Sequence, residues 1–598
     1  MAVYQAPLTD TRFILRDLLN LERYDNVAGF AEATPDVIDA ILTEAAKLAE
    51  EVLLPINEIG DRQGCTYDPD KRAVTTPDGF KEAYKTFIEG GWVGLTADPD
   101  FGGQGLPAVL GLALNEMVSS ANMAFGMYPG LSHGCYSAIH AHGSDDQKAT
   151  YLPKLVTGEW SGTMNLTEPQ CGTDLGLIRT KAEPQDDGTY KITGTKIWIS
   201  GGDQDLTENT VHLVLARIAG GPEGIKGISL FIVPKFMVNE DGSLGERNAA
   251  YCGGLESKMG IHGNATCVMN YEGATGFLVG EPHKGMRAMF TMMNEARLGV
   301  GLQGLSMSEI AYQNALTFAK DRRQGRALTG ADEPDAPADS IMVHPDVRRM
   351  LMDVRTFNEG ARALLMWTGL WGDLEHKSED EQVREKAGDY MALFTPILKA
   401  YFTEKGFMNA VWAQQVLGGS GFVKDYPLEQ FVRDSRIAMI YEGTNGIQAL
   451  DLVGRKLAMN GGRAINTFFA DVDHLIDEAG DDERLKPFVD GLRDSSDQLK
   501  DATGWLMENG LADFNNAAAS SHDYLHLFAI TALSYIWLDI ARRSVACLDE
   551  GVPNAAFYET KLKTGRYFVA RVQPEAAAHL AKVKAGAAPV MALDTEEY

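Results

Sequence analysis

The sequence predicts an α+β protein: an N-terminal helical region, a central antiparallel β-domain, a C-terminal helical bundle and an additional helical domain after it. Three observations carry that prediction. Apolar residues recur at helical spacing up to about residue 160. Short β-rich runs then follow one another to about residue 285 with no helix between them, the habit of an antiparallel sheet. From Met286 the helical period returns and persists to the end. These shifts divide the 598 residues into 1–160, 161–285, 286–458 and 459–598.

In chain order, Asp36 to Leu54 has apolar residues at helical spacing and reads as a helix stopped by Pro55. The glycine-rich run Phe101-Gly102-Gly103-Gln104-Gly105-Leu106-Pro107 reads as a turn before a helix over Ala108–Met123. Tyr190–Ile199 alternates and is rich in β-formers, and Val211–Ala216 and Ile228–Val233 read as more buried strands. Asn294-Glu295-Ala296-Arg297 reads as the start of a helix running to Asp321. The proline- and aspartate-rich stretch Thr329–Asp339 reads as a mobile loop, and His344-Pro345 as the opening of a helix with Val347, Leu351, Val354, Phe357, Ala361 and Leu364 on its apolar face. Residues beyond 459 are Ala/Leu-rich and helical.

Composition narrows the functional classes. A formal charge of -29 argues against general affinity for nucleic acid or anionic membranes. The C-terminal 140 residues are no exception, with 13 Lys and Arg against 22 Asp and Glu and one locally positive patch, Lys561, Lys563, Arg566 and Arg571. Six scattered cysteines without a Cys-x-x-Cys pair suggest reduced thiols and a cytoplasmic protein. The N-terminus lacks a signal-peptide layout, and no uninterrupted apolar run is long enough to span a bilayer. His140 and His142, with His133 nearby, have no cysteine or acidic partner in the pattern, so no metal is expected. Gly299-Val300-Gly301-Leu302-Gln303-Gly304 has the spacing of a dinucleotide fingerprint but lies in a helical stretch, where close helix packing is the better account.

The chemistry concentrates in Tyr441-Glu442-Gly443-Thr444. A lone glutamate in an apolar stretch is a stronger base than one in water, and the following glycine and threonine allow a ligand close to the backbone. Four further segments accompany it: Leu166–Asp174, Ile197–Gly202, Gln415–Phe422, and Asn294–Arg297 with Asp321–Gly325. Their joint occurrence in this order, over residues 40 to 458, resembles the acyl-CoA dehydrogenase family of flavoproteins. The N-terminal extension, Asn445-Gly446 and the C-terminal helices resemble its C-terminally extended bacterial members.

The resemblance implies FAD as cofactor, an acyl-CoA substrate, a homodimer or larger assembly, and electron-transfer flavoprotein as electron acceptor. It makes Glu442 the catalytic base. Thr167 and Ser200 fall at the reactive edge of the flavin, Trp198 against its rings, and Gly172, Thr173 and Thr444 near the pyrophosphate. Arg322, Gln415, Gly418 and Gly419 match positions that hold the adenylate half across a dimer interface. Thr173, Arg297, Tyr441 and Gly443 match substrate-side positions. Some relatives carry the base just before Arg297, where this chain has Ala296. Glu295 next to it is turned about 100° away on a helix and reads as a surface or capping residue. The expected reaction is α,β-dehydrogenation of a methylthio-substituted propanoyl thioester, with an ordinary medium- or long-chain acyl-CoA as the alternative. Gln324-Gly325 and Gly446 depart from the common pattern at the adenosine end. An oxidase, which passes electrons to oxygen, shares the fold, and DNA-associated relatives would need a basic C-terminal extension.

Overall fold

The structure, a computed structural model, describes residues 2–598. It divides into two compact units: Thr43–Leu106 with Met117–Gly299, and everything up to Leu42 with Pro107–Glu116 and Val300–Tyr598.

The first unit is built on a seven-stranded sheet. Thr266–Val279 pairs with Tyr190–Ser200 on one side and Ile228–Pro234 on the other, and Tyr190–Ser200 pairs with Lys181–Pro184. Asn209–Ile218 joins Lys181–Pro184 to Ile228–Pro234, which closes a ring of five hydrogen-bonded strands. Ala250–Leu255 and Trp160–Asn165 add to this ring. The expected antiparallel pairing holds for most of the sheet. Trp160–Asn165 and Lys181–Pro184 run parallel to Asn209–Ile218, because the strand Tyr190–Ser200 and its flanking loops return the chain between them.

Asn209–Ile218 reads as an unbroken apolar run because both its faces are packed. Val211, Leu213 and Leu215 join Leu152, Trp160 and Met289 in one core, while Val214 and Ala216 join Ile192, Phe231 and Ala274 in another. Met292 and Met293 are core residues of the first, with Met286 packed against it.

Two element boundaries differ from the sequence reading, at Pro55 and at Asn294, each for a local reason. Pro55 does not stop a helix. Pro35–Lys47 continues through a π-helical stretch into Leu54–Gln63: Leu54 N donates to Ala49 O in the wide i→i−5 pattern just before Pro55, and this wider turn accommodates a residue that has no N–H to donate. The helix from Ala108 breaks at Asn122 (φ −158°, ψ 90°), next to the expected end at Met123, and the Asn122 side-chain oxygen accepts from Phe125 N at 3.0 Å to start a second segment that runs to His142. Asn294–Arg297 lies inside a helix that already begins at Gly285. A Cβ on Gly285 would stand 2.3 Å from the Ser229 carbonyl carbon, so glycine lets the helix start against the sheet.

The second unit is helical. Val300–Asp321, the C-terminal part of the helix Gly285–Asp321, packs on Glu381–Val416 at van der Waals distance. A Cβ on Gly304 would meet the Phe402 carbonyl oxygen at 2.3 Å, and one on Gly301 the Leu398 oxygen at 3.1 Å. The Gly299–Gly304 spacing is therefore a packing motif. The appended helices share a core with this bundle, where Phe394 meets Phe468 and Phe528 edge-on. Phe514–Asp549 is long and apolar enough to cross a membrane by composition, yet its apolar stretch is nearly all buried as the central helix of the appended region.

Buried charges tie this unit together. Arg362 binds Asp10 (2.6 Å), Glu116 (2.7 Å) and Glu309 (2.8 Å), and Lys561 binds Asp10 and Glu359. Lys561 is thus a buried ion-pair residue and not part of a basic surface patch. The stretch Thr329–Asp339, expected to be mobile, is wrapped around the buried carboxylate of Asp339. That carboxylate accepts from Ala327 N, Asp332 N, Glu333 N and Arg326.

Candidate active site

The residues singled out in the sequence fall into two groups, one in each unit. In the sheet unit, the Thr167 segment is anchored by the carboxylate of Glu168. One of its oxygens accepts from Gln170 Nε2 (2.6 Å) and Arg179 N (2.7 Å). The other accepts from Thr180 N (3.0 Å), Thr180 Oγ1 (2.6 Å) and Lys196 Nζ (2.8 Å). The Lys196 ammonium and the four other donors outweigh burial and hold this carboxyl down at about 2. Lys196, fully buried in the strand Tyr190–Ser200, also donates to the Leu166 carbonyl at 2.9 Å. Ile197 N donates to the Thr167 carbonyl at 2.9 Å, so Thr167 is fastened to the strand that carries Trp198 and Ser200.

Trp198 is 61% exposed with φ +60°, in the left-handed region that tryptophan rarely adopts. Thr167 and Ser200 are half-buried, and Gly172 and Thr173 are exposed on the loop that follows Cys171. Arg297 is buried, its guanidinium 5.9 Å from the Phe290 ring centre. Glu295 sits beside His133 at 3.9 Å in mid-helix, so it caps nothing. His140 has an acidic partner after all, Asp98 at 2.9 Å, and His142 meets Thr291 Oγ1 at 2.8 Å.

In the helical unit, Glu442 (φ +58°) and Gly443 (φ +81°) are consecutive left-handed residues. The conformation is free for glycine but costs a side-chain-bearing residue about 1–2 kcal/mol. Side chains from neighbouring helices hold it. Gln448 Nε2 donates to the carbonyls of Glu442 (3.1 Å) and Gly443 (3.3 Å). Tyr441 donates its hydroxyl to Gln303, and burial together with the Glu442 charge pushes that phenol far above its usual range. Thr444 caps the short helix Asn445–Asp451, its hydroxyl accepting from Ile447 N at 3.4 Å. Buried Asn445 accepts from Lys399 Nζ (2.9 Å) and turns its amide N–H groups to Ala400 O, Thr403 Oγ1 and Glu404 Oε1, each at 3.1 Å.

Arg322 ends its helix with its carbonyl accepting from Ile341 N at 2.9 Å, its side chain exposed. Gln414 Nε2 donates to Gly421 O at 3.0 Å and fixes the turn Gly418–Phe422, which leaves Gln415, Gly418 and Gly419 exposed. Sequence reasoning named Glu442 and its neighbours but missed Lys196, Lys399, Gln448 and Glu404, which hold the loops from a distance. Lys196 lies in the alternating run Tyr190–Ile199 and Gln448 six residues after Glu442; Lys399 and Glu404 carry no local signal.

An exposed indole is a surface for a flat aromatic ligand, and a carboxylate on a clamped loop can act as a fixed base. Comparison with known proteins gives this chemistry a family. Residues 37–159, 163–274 and 283–457 match the models for "Acyl-CoA dehydrogenase" N-terminal, middle and C-terminal domains, and 468–594 match "Acetyl-CoA dehydrogenase C-terminal like". The chain is 40% identical over 583 residues to the 3-methylmercaptopropionyl-CoA dehydrogenase of Ruegeria pomeroyi, covering 97% of this chain and 98% of that one. It is 34% identical to the broad-specificity linear acyl-CoA dehydrogenase FadE5 of Mycobacterium tuberculosis, covering 96% of each. An acyl-CoA dehydrogenase of Bacillus anthracis solved with FAD shares the fold, with a TM-score of 0.74 at 22% identity over 94% of this chain and 90% of that one. The chain belongs to the acyl-CoA dehydrogenase family, a family of oxidoreductases whose cofactor is FAD. The exposed left-handed Trp198 fits such a cofactor: its indole is open to a flat ligand, and half-buried Thr167 and Ser200 belong to the same anchored loop and strand.

Proposed function

We propose that this enzyme dehydrogenates 3-(methylthio)propanoyl-CoA to methylthioacryloyl-CoA, a step of dimethylsulfoniopropionate demethylation. The observation that carries the proposal is Glu442, the one residue of its loop that bears a base, held left-handed by Gln448 and flanked by the Tyr441–Gln303 bond. The methylthio acyl group is supported by the 40% identity with the Ruegeria enzyme over nearly the full length of both chains.

In this reading the Glu442 carboxylate takes the proton from the carbon beside the thioester carbonyl. The backbone N–H of Glu442 stabilises the charge that develops on the carbonyl oxygen. Bound FAD supplies the acceptor for the hydride leaving the next carbon. Thr167, Gly172, Thr173, Trp198, Ser200 and Thr444 orient that cofactor. Arg322, Gln415, Gly418 and Gly419 hold its adenylate half across a homodimer interface, and Thr173, Arg297, Tyr441 and Gly443 line the acyl-CoA path. Electrons then pass to an electron-transfer flavoprotein.

A second reading, a linear medium- or long-chain acyl group, is favoured by the Mycobacterium relative and by the burial of Met289, Met292 and Met293, which makes them core residues and not thioether contacts. A panel of acyl-CoA thioesters with an artificial electron acceptor separates the two by kcat/KM. For the mechanism, Glu442→Gln is expected to retain FAD and bind acyl-CoA while losing flavin bleaching by substrate; undiminished bleaching refutes the assignment of the base.

A further inference from the structure

We infer that Glu404, His522 and His526 form a binding site for a divalent transition-metal cation of the zinc class. His522 and His526 are four residues apart on the helix Phe514–Asp549, so their imidazoles lie one turn apart on the same face. Both Nε2 atoms converge on the same oxygen of Glu404, at 3.3 Å and 2.9 Å, and the three candidate ligand atoms all lie within 4.8 Å of one another. Two imidazole nitrogens and one carboxylate oxygen are the ligand set of three-residue zinc sites that leave the fourth position to water. Metal–ligand bonds of about 2.0–2.2 Å in a tetrahedron separate the ligand atoms by roughly 3.4 Å. The His522–carboxylate separation of 3.3 Å matches that value, and the His526–carboxylate separation of 2.9 Å is about half an ångström shorter.

The surroundings support a ligand role. The other Glu404 oxygen accepts from Asn445 Nδ2 at 3.1 Å, the kind of outer hydrogen bond that orients a metal-binding carboxylate. His526 is buried and faces Tyr401 edge-on, which sets its ring, whereas half-exposed His522 gives a cation a way in. The neighbouring charges are already committed, since Asp523 binds His579 at 2.7 Å and Lys582 at 3.4 Å. Because Glu404 belongs to the helix Glu381–Val416 and Asn445 directly follows Thr444, a cation here would fasten the appended helices to the loop that carries Glu442.

Without a cation, the same three groups form two N–H donors on one oxygen, which predicts no saturable metal binding. The full-length, FAD-loaded protein, stripped with a chelator and titrated with Co²⁺, distinguishes the two. The expected result is one equivalent bound with a ligand-field absorption band. In His522→Ala, whose half-exposed side chain can be truncated without opening the core, affinity should fall by at least the ~10- to 100-fold that loss of an outer partner costs at metal sites. His474→Ala, an exposed histidine paired with Glu478 at the same i,i+4 spacing, serves as the control and should bind like the parent protein. Absence of a saturable one-equivalent phase, or unchanged affinity in His522→Ala, overturns the site.

Discussion

Glu168→Gln tests whether the buried ion pair under the Thr167 loop sets both stability and flavin retention. Five donors point at this carboxylate, two on one oxygen and three on the other. An amide in either orientation turns its NH₂ against a backbone N–H, of Arg179 or of Thr180, and strips the buried Lys196 of the carboxylate it pairs with. Removing one partner of such a pair costs about 3–5 kcal/mol. The acid limb gives an independent figure. Glu168 titrates at about 2 in the folded protein against an ordinary 4.5. A depressed carboxylate contributes stability that is present above pH 4.5 and lost as the pH falls toward 2, about 3 kcal/mol in all. Burial meanwhile pushes Lys196 down to about 8, so its charge is carried at a cost. Lys196→Met removes that cost and leaves Glu168 four donors, so its penalty should be the smaller, about 1–3 kcal/mol. The assay is thermal unfolding of the FAD-loaded protein with flavin release as the signal, alongside the flavin-to-protein ratio. A Glu168→Gln protein with the parent's midpoint and flavin content, or Lys196→Met proving the more damaging change, refutes the reasoning.

Two further outcomes follow from the helical unit. Glu442→Gly and Glu442→Ala should both lose turnover, but the glycine variant should be at least as stable in denaturant. Relief of about 1–2 kcal/mol at φ +58° outweighs the roughly 0.5–1 kcal/mol that glycine adds to the freedom of the unfolded chain; an alanine variant more stable by 1 kcal/mol contradicts the strain. Arg362→Met should destabilise by at least about 3–5 kcal/mol, because Asp10, Glu116 and Glu309 lose the cation they share in the interior. A parent-like melting temperature for that variant shows the network to be unimportant.

The catalytic candidates were legible because their signal is local: Thr167, Ser200 and Glu442 sit in short runs whose residue types and order are distinctive. What holds them was not legible, because it comes from far along the chain. Lys399 and Glu404 reach Asn445 across more than forty residues, and nothing near them in sequence marks the contact. His522 and His526 do show a helical pair in the sequence, but the carboxylate they share is 118 residues away from His522. The element boundaries failed for a related reason. Pro55 is a helix breaker by type, yet here a π-helical turn just before it carries the helix through, and no residue pattern marks that turn. Asp339 turned a stretch rich in proline and aspartate into a pinned loop through backbone N–H groups that no residue pattern reveals.

The two groups of candidate residues share one physical device. Each places a non-glycine residue in the left-handed region, Trp198 at φ +60° and Glu442 at φ +58°, directly beside buried polar anchors. Such a conformation costs free energy and persists only where the surroundings over-determine it. At Trp198 the determinant is the preceding residue, Lys196's neighbour Ile197, bonded to Thr167, with Lys196 itself locked to Glu168. At Glu442 it is Gln448 on the two carbonyls, Tyr441 on Gln303, and Asn445 held by Lys399 and Glu404. Each position carries a local backbone cost of about 1–2 kcal/mol that an ordinary conformation would avoid. A polar clamp that keeps a strained residue at each position is what the proposed function calls for: an exposed indole held for a flat cofactor, and a carboxylate held still for a proton on carbon.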